Sequence, residues 1–409
     1  MAGLAKVKKV ALAYSGGLDS ALCIKLFLDS ALARELIEDE YGAKEVLPVT
    51  VDVGLDEQEL NECKTKAELL GVSWTYIDAR EEFANEWVSK AIKANSNYEG
   101  YPVSTSMTRQ LIAQKVAQFA VENGCDALAE GSTGKGNDQY RMHNVFKLFA
   151  PELESIAPIR DFNFTRDEEK KLSARLNIPY KAGIGDDRTM WCRSIGSGEV
   201  DNLKMRIAQE DYIWYVFPEN APDKPTTIEI EFENGIPVKA DGKTGLASII
   251  HYLNEIGGKN SIGKIDMFED GMIGLKSREV YEAPAATIIL KLHKDLEQLC
   301  LTKDEVQFKE IVDSKWAYMV YHGAWFQPHK RELDAFIDES QKYVNGKYRM
   351  QLYKGNIDIL ERESPTGLFA PEIRSLATRG FDQRDSGPAV HIHGMQYKIL
   401  GAREKKIKK

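Results

Sequence analysis

Over the first 180 residues, short apolar runs rich in β-branched residues alternate with longer stretches in which apolar positions recur every three or four residues. The runs suit buried strands and the longer stretches suit helices laid over them. Strands are predicted at Val10 to Tyr14, Val46 to Val51, Trp74 to Asp78 and Ala127 to Glu130. One helix should follow Asp19, a second should run from Glu57 to Leu70 and stop at Gly71, and a third from Met107 to Glu122 should stop at Asn123-Gly124. Thr165 with Glu168 forms a capping box for a fourth, which Asn177-Ile178-Pro179 ends. Strand and helix in alternation predict an α/β domain, a parallel sheet wrapped by helices, over residues 1–182.

After Gly183 the texture changes. A strand from Thr226 to Phe232, a turn at Asn234-Gly235 and a strand from Ile236 to Ala240 lead into longer helices. From Tyr348 onward short segments return at Met350 to Leu352, Ile357 to Leu360 and Val390 to His393, the last placing His391 and His393 on one strand face. A boundary near 182 to 190 and a second, α+β domain over 183–409 are therefore expected.

Composition narrows the class. The five cysteines lie far apart with no CxxC pair, which disfavours a zinc knuckle, a disulfide framework or a thiolating enzyme. The histidines form no triad or metal-ligating set. No signal pattern and no apolar run of ~20 residues is present, so a cytoplasmic protein without a membrane partner is expected. A net charge of −9 speaks against a nucleic-acid surface, and the basic tail Arg403 to Lys409 reads as a solvated end. Trp191 and Tyr140 are expected in the core.

Two glycine loops carry the candidate chemistry. In the first, Ser15-Gly16-Gly17-Leu18-Asp19-Ser20 joins a strand to a helix. The glycines let successive N–H groups converge on phosphate oxygens at a positive helix end, the two serines add hydroxyls, and Asp19 is placed to face a phosphate-bound Mg²⁺. A plain helix cap with Asp19 in the first turn is the other reading. The lysine of a GxxxxGK[ST] loop is missing, and so is the GxGxxG pattern. The loop resembles the SGGxDS pyrophosphate loop of the N-type ATP pyrophosphatases, which split ATP between its α and β phosphates. The second loop, Gly131 to Arg141, leaves a predicted strand at the same sheet edge. Thr133, Asn137, Asp138 and Arg141 offer there the groups that grip an amino acid at both its carboxylate and its ammonium.

The string GSTGKGNDQYR is similar to the G-[AS]-T-G-K-G-N-D-Q-x-R signature of argininosuccinate synthases. Further similar strings follow in collinear order: Tyr98 to Tyr101 with Thr105-Ser106, Trp191 to Ile195, Leu253 to Gly258, Ile265 to Glu269, Lys276 to Pro284 and Leu352 to Asn356. The resemblance implies an adenine nucleotide alpha hydrolase-like domain over 1–182 and a synthetase and oligomerisation domain over 183–409. It implies that Ala13, Tyr14, Ser15, Gly16, Gly17, Leu18, Asp19, Ser20, Ala21, Val51 and Gly131 surround ATP. Thr133, Asn137 and Asp138 would hold aspartate, and Tyr101, Ser106, Asn137, Arg141, Ser194, Glu269 and Tyr281 would hold citrulline. Asp19 and Asp138 are the catalytic candidates, the latter orienting the aspartate ammonium or accepting its proton. ATP with Mg²⁺, a homotetramer and a site between the domains complete the implication. The activity implied is adenylation of the citrulline ureido oxygen and displacement of AMP by aspartate, a step of arginine biosynthesis.

The chain departs from the family at a few positions. Gly185 replaces a serine, Thr189 an asparagine and Gly196 a glutamate; Ser104 stands where glycine is usual and Leu55 where glutamine is preferred. These changes suit drift with compensating contacts, a pocket altered for another ureido or amide acceptor, or a non-catalytic relative. The losses at 185 and 196 predict a looser hold on citrulline, which Gly185→Ser with Gly196→Glu would tighten.

Overall fold

The computed structural model describes residues 7–37, 42–180, 185–196 and 198–408. Strands β1 (Val7–Ala13), β2 (Ala43–Asp52), β3 (Thr75–Asp78), β4 (Ala127–Ala129) and β5 (Glu154–Ile156) form a parallel sheet in the order β3-β2-β1-β4-β5. Val10, Ala11 and Leu12 of the central strand are inaccessible to solvent, as helices on both faces require. Their side chains alternate between two cores: Val10 and Leu12 join Leu22, Ile24 and Phe27, whereas Ala11 joins Val49, Leu111 and Leu128. The strand order reverses between β1 and β4, so a crevice opens at their carboxyl ends.

Antiparallel pairing follows in β6 (Gly185–Arg188), β7 (Arg193–Gly196), β8 (Thr226–Glu233), β9 (Ile236–Ala240), β10 (Lys243–Thr244), β11 (Lys264–Asp270), β12 (Lys276–Glu282), β13 (Gly346–Tyr353) and β14 (Asn356–Glu363). One sheet runs β10-β9-β8-β13-β14 and the other β11-β12-β7-β6. On β8 only Ile228, Ile230 and Phe232 are buried, the alternation of a sheet with one face on a core, shared here with Ile249, Ile289 and Leu292 of the helices Leu246–Lys259 and Pro284–Cys300. Residues 1–367 make one compact unit and residues 368–409 a second. No helix of the described residues is long and apolar enough to cross a membrane.

The predicted strand at Val390 to His393 is instead part of the helix Ser386–Ile407. Pro388 stands in its first turn, where a missing N–H costs no hydrogen bond. His391 and His393 are therefore separated by roughly 200° around a helix rather than sharing a face. The helix predicted from Met107 begins two residues earlier, at Thr105, and the capping box of Thr165 and Glu168 is formed. Trp191 is fully buried, but Tyr140 is exposed on the first turn of the helix Asp138–Phe149, not in the core.

Lys309, on the helix Lys303–Tyr321, is buried with its ammonium donating to both Asp313 carboxylate oxygens at 2.8 Å and to the Lys93 carbonyl at 2.7 Å, with Glu297 at 2.9 Å. Lys309→Met would leave two carboxylates facing each other without a cation. The variant should lose about 3–5 kcal/mol of unfolding free energy in denaturant titration. A loss under ~1 kcal/mol would mean that the carboxylates find other partners.

Candidate active site

β1 ends at Ala13, and Tyr14 to Gly17 turn into the helix Leu18–Leu28. Gly16 has a φ of 70°, and a Cβ there would lie 2.7 Å from Cys63 Sγ, so only glycine allows this approach. The helix Glu57–Leu69 fastens the loop from behind. Its Cys63 thiol donates to the Ser15 carbonyl at 3.2 Å, and its Lys66 ammonium to the Gly16 carbonyl at 2.5 Å. In a trans peptide the N–H points opposite to the carbonyl, so engaging these carbonyls aims the Gly16 and Gly17 amides the other way. Gly17 caps the helix with no side-chain hydrogen bond, which leaves the first-turn amides able to take an anion. The Ser15 and Ser20 hydroxyls lie 3.3 Å apart beside them. Asp19 pairs with the guanidinium of Arg166, which also grips buried Glu169 at 2.6 Å. Burial, then the Asp19 charge, pushes Glu169 up to about 7.

The second glycine loop closes on the first. A Cβ on Gly131 would lie 3.2 Å from the Ser20 amide nitrogen and 3.3 Å from the Asp19 Cβ. Further along, Asp138 opens the helix Asp138–Phe149 and accepts from Arg109 Nε and Arg141 Nη1, each at 2.8 Å. Arg109 also donates to Asp187 on β6 at 2.5 Å, and Arg141 donates to the Tyr321 carbonyl at 2.9 Å while lying 4.8 Å from the Tyr321 ring centroid. Burial pulls the Asp138 carboxyl upward, but the two guanidinium groups outweigh it and hold it below the usual carboxylate range. Asn137 ties the loop to distant segments: its carbonyl accepts the Met272 N–H at 2.8 Å and its amide donates to the Tyr321 hydroxyl at 3.0 Å.

The sheet β11-β12-β7-β6 brings a third group together. Glu269 is buried and accepts from the Tyr281 hydroxyl at 2.8 Å and the Tyr321 hydroxyl at 2.7 Å; burial pushes its carboxyl up despite both bonds. Tyr281 stacks on Tyr101 with centroids 4.3 Å apart. The Tyr101 hydroxyl accepts the N–H groups of Ser104 and Thr105, each at 2.7 Å, and so caps the helix Thr105–Glu122 in place of a side chain at the N-cap. Ser106 is fully buried, and its hydroxyl has no partner. Ser194 on β7 pairs with Tyr281 on one side and Asp187 on the other.

The departures meet one another. Ser104 and Thr189 share a hydrogen bond at 2.8 Å, and Thr189 Oγ1 also accepts the Trp191 and Cys192 N–H groups at 3.0 Å, holding the β6–β7 turn. The Leu55 N–H donates to Asp52 at 2.9 Å. Beside it Gly54, with φ of 121°, lies against Met190: a Cβ would sit 2.4 Å from the Met190 nitrogen. Gly185 and Gly196 are cross-strand partners, and the space beside Gly196 is occupied, since a Cβ would meet Glu279 Oε2 at 2.8 Å. The gap expected from the sequence at 196 thus already holds a carboxylate, and Gly196→Glu would crowd it rather than fill a void.

Ala13, Ser20, Ala21 and Val51 lie at or near the crevice floor, the last three buried; Tyr14 is also buried, with an unpartnered hydroxyl. Leu18 is half-buried, and Thr133 is half-buried on the second loop. Sequence reasoning missed Arg109, Arg166, Glu169, Glu279 and Tyr321. Arg166 and Glu169 stood three apart on a helix whose cap was readable. Nothing local distinguishes Tyr321 or Arg109 from ordinary helix residues.

A parallel five-stranded sheet with an uncapped glycine loop, followed by antiparallel sheets that gather buried polar side chains, has the architecture of an ATP pyrophosphatase-type synthetase. The model of the arginosuccinate synthase N-terminal HUP domain matches residues 9–179, and that of the C-terminal domain matches residues 185–400. The argininosuccinate synthase of Methanopyrus kandleri is 43% identical over 96% of this chain and 98% of its own. That of Methanococcus maripaludis is 44% identical over 96% and 98%, and that of Pyrococcus furiosus 42% over 95% and 93%. The chain belongs to the argininosuccinate synthase family, ligases that join citrulline to aspartate through a C–N bond with consumption of ATP.

The shared use of Asp138 by Arg109 and Arg141 has a measurable consequence. Asp138→Asn keeps the shape but removes the charge, leaving Arg109 with Asp187 and Arg141 with a carbonyl. It should cost about 1–3 kcal/mol in unfolding free energy. A variant as stable as the parent would show that the guanidinium groups relax to other partners.

Proposed function

We propose that the chain binds ATP across the two glycine loops, with the pyrophosphate portion in the Ser15 to Ser20 cradle, and joins citrulline to aspartate on the face formed by the second loop and β11, β12 and β7. The observation that carries this reading is the contact of Gly131 with the start of the phosphate-loop helix, which puts the nucleotide and amino-acid loops at one place. Ala13 to Ala21, Val51 and Gly131 serve ATP. Thr133, Asn137 and Asp138 serve aspartate; Tyr101, Ser106, Asn137, Arg141, Ser194, Glu269 and Tyr281 serve citrulline. The orphaned hydroxyl of Ser106 supports a polar ligand there, because a buried hydroxyl without a partner is costly unless the substrate supplies one.

A ureido carbonyl is a poor electrophile, so its oxygen is first joined to the α-phosphorus of ATP as pyrophosphate leaves. Backbone amides of the Ser15 to Ser20 loop stabilise the departing charge. Mg²⁺ bound to the phosphates would share that charge. Asp19 suits such an oxygen-preferring ion, and Arg166, which now pairs with it, would then be left to Glu169 and the phosphates. The aspartate ammonium loses a proton to solvent, the free amine attacks the activated carbon, and the C–O bond breaks as AMP departs. Asp138, kept ionised by two guanidinium groups, is a weak base, so it orients the aspartate ammonium. No protein nucleophile takes part, and fixed geometry between the two substrates supplies much of the acceleration. The boundary near 182, which lies outside the described residues, suits the change from a parallel sheet before it to antiparallel sheets after it.

Product analysis tests the chemistry. ATP, citrulline and aspartate should yield AMP and pyrophosphate; ADP would overturn the reading. Asp19→Ala should lower turnover ~hundredfold or more and move the melting temperature little. A large melting loss with normal turnover would make Asp19 a helix cap only.

A homotetramer in the cytoplasm fits the remaining features. In the segment 368–409, Phe369, Leu376, Val390, Ile392 and Ile399 are each at least two-thirds exposed on the single chain. Apolar surface of this kind favours burial against other copies. Light scattering should give four copies of the 46.1 kDa chain; a monomer would overturn the assembly.

A further inference from the structure

The face of β12 that carries Tyr281 also carries Glu279, two residues earlier. In register, Tyr281 lies opposite Ser194 of β7, which lies opposite Asp187 of β6. Two residues away from Ser194 and Asp187 stand the cross-strand partners Gly196 and Gly185, Glu279 of β12 approaches Gly196, and on the other side of Glu279 stands Met267 of β11. Gly185 and Gly196 pair across the two strands, and the Glu279 carboxylate lies over Gly196. The fit is close, because a single methyl on Gly196 would be 2.8 Å from Oε2.

The charges around this carboxylate are divided unevenly. Arg109 serves Asp138 and Asp187, and Arg141 serves Asp138. Glu269 is satisfied by two tyrosine hydroxyls. Glu279 has no cationic partner among the described residues; Ser277 favours its charge, while the charges of Glu269, Asp201 and Asp138 oppose it. Burial first, then the Glu269 charge, pushes it up to about 7. A half-buried carboxylate among other carboxylates, with neither cation nor cap, is stabilised in its charged form by a positively charged ligand. Of the groups on citrulline, the ureido end is neutral and the α-carboxylate is repelled. The α-ammonium remains.

We propose that Glu279, whose carboxylate fills the space beside Gly196, is the carboxylate that receives the α-ammonium of citrulline. The proposal rests on reading Ser194, Glu269 and Tyr281 as the citrulline face, and it makes Glu279 a specificity-determining residue. The two glycines then give the carboxylate its place, and the grip lost with a side chain at 196 is supplied from the neighbouring strand.

The test compares citrulline with 5-ureidopentanoate, the same molecule without its α-amino group, in wild type and Glu279→Gln at saturating ATP and aspartate. In the variant the KM for citrulline should rise ~tenfold or more, the loss expected for a charge-assisted hydrogen bond. The inhibition constant of 5-ureidopentanoate, which has no ammonium to lose, should stay within ~twofold, as should the KM values for ATP and aspartate. Both constants rising together, or neither moving, overturns the proposal. Should Glu279→Gln fail to fold, Gly196→Ala displaces the carboxylate without removing it and should raise the citrulline KM with the same selectivity; an unselective rise or none counts against Glu279. Wild type that forms no AMP with citrulline would instead sink the assignment of the face itself.

Discussion

Two guanidinium groups alternating with two carboxylates hold this site together. Arg109 reaches Asp138 at the start of one helix and Asp187 on β6, while Arg141 returns to Asp138 and to the Tyr321 backbone. The chain Asp187–Arg109–Asp138–Arg141–Tyr321 therefore joins a strand of the antiparallel sheet, the second glycine loop and the end of the helix Lys303–Tyr321. Alternation of sign lets each charge be balanced by its neighbours, the condition under which buried Arg141 and its half-buried partners are tolerated with little water around them. Position and ionisation state come from the same contacts.

The architecture around this chain divides its labour by backbone type. Strand ends and glycine turns of the parallel sheet offer N–H groups, which suit phosphates whatever is attached to them. The antiparallel sheet offers side chains in rows set by register, which suit an amino acid with distinct ends. Tyrosines serve both ends of this arrangement: Tyr101 and Tyr321 each give a hydroxyl to the frame while their rings stack on Tyr281 and Tyr98.

Much of this was legible in the chain. The parallel strands, the capping box at Thr165 and Glu168 and the strand pair around Asn234-Gly235 follow from local patterns, because each depends on residues within a few positions of one another. The glycine loops were readable for the same reason. What could not be read depends on contacts distant in sequence. The helix start at Thr105 is capped by a tyrosine hydroxyl, not by an N-cap side chain. Tyr321 meets Asn137 across 184 positions, and Arg109 meets Asp187 across 78. Two departures from the family pattern, at Ser104 and Thr189, looked independent until the fold placed their hydroxyls 2.8 Å apart. The segment around His391 misled because alternating β-branched residues suit a strand locally, whereas the residues on either side continue a helix.

The thiol beneath the first glycine loop has one more consequence. Cys63 is almost wholly covered, its sulfur lodged under Gly16 with its proton given to the Ser15 carbonyl, and burial pushes its ionisation up to about 11. While the loop is seated, the thiol is neither exposed nor ionised enough to meet an alkylating reagent. Modification must await a moment when the loop lifts from the helix behind it. The labelling rate of this single sulfur is therefore a clock for loop opening, and a nucleotide that seats the loop would slow it.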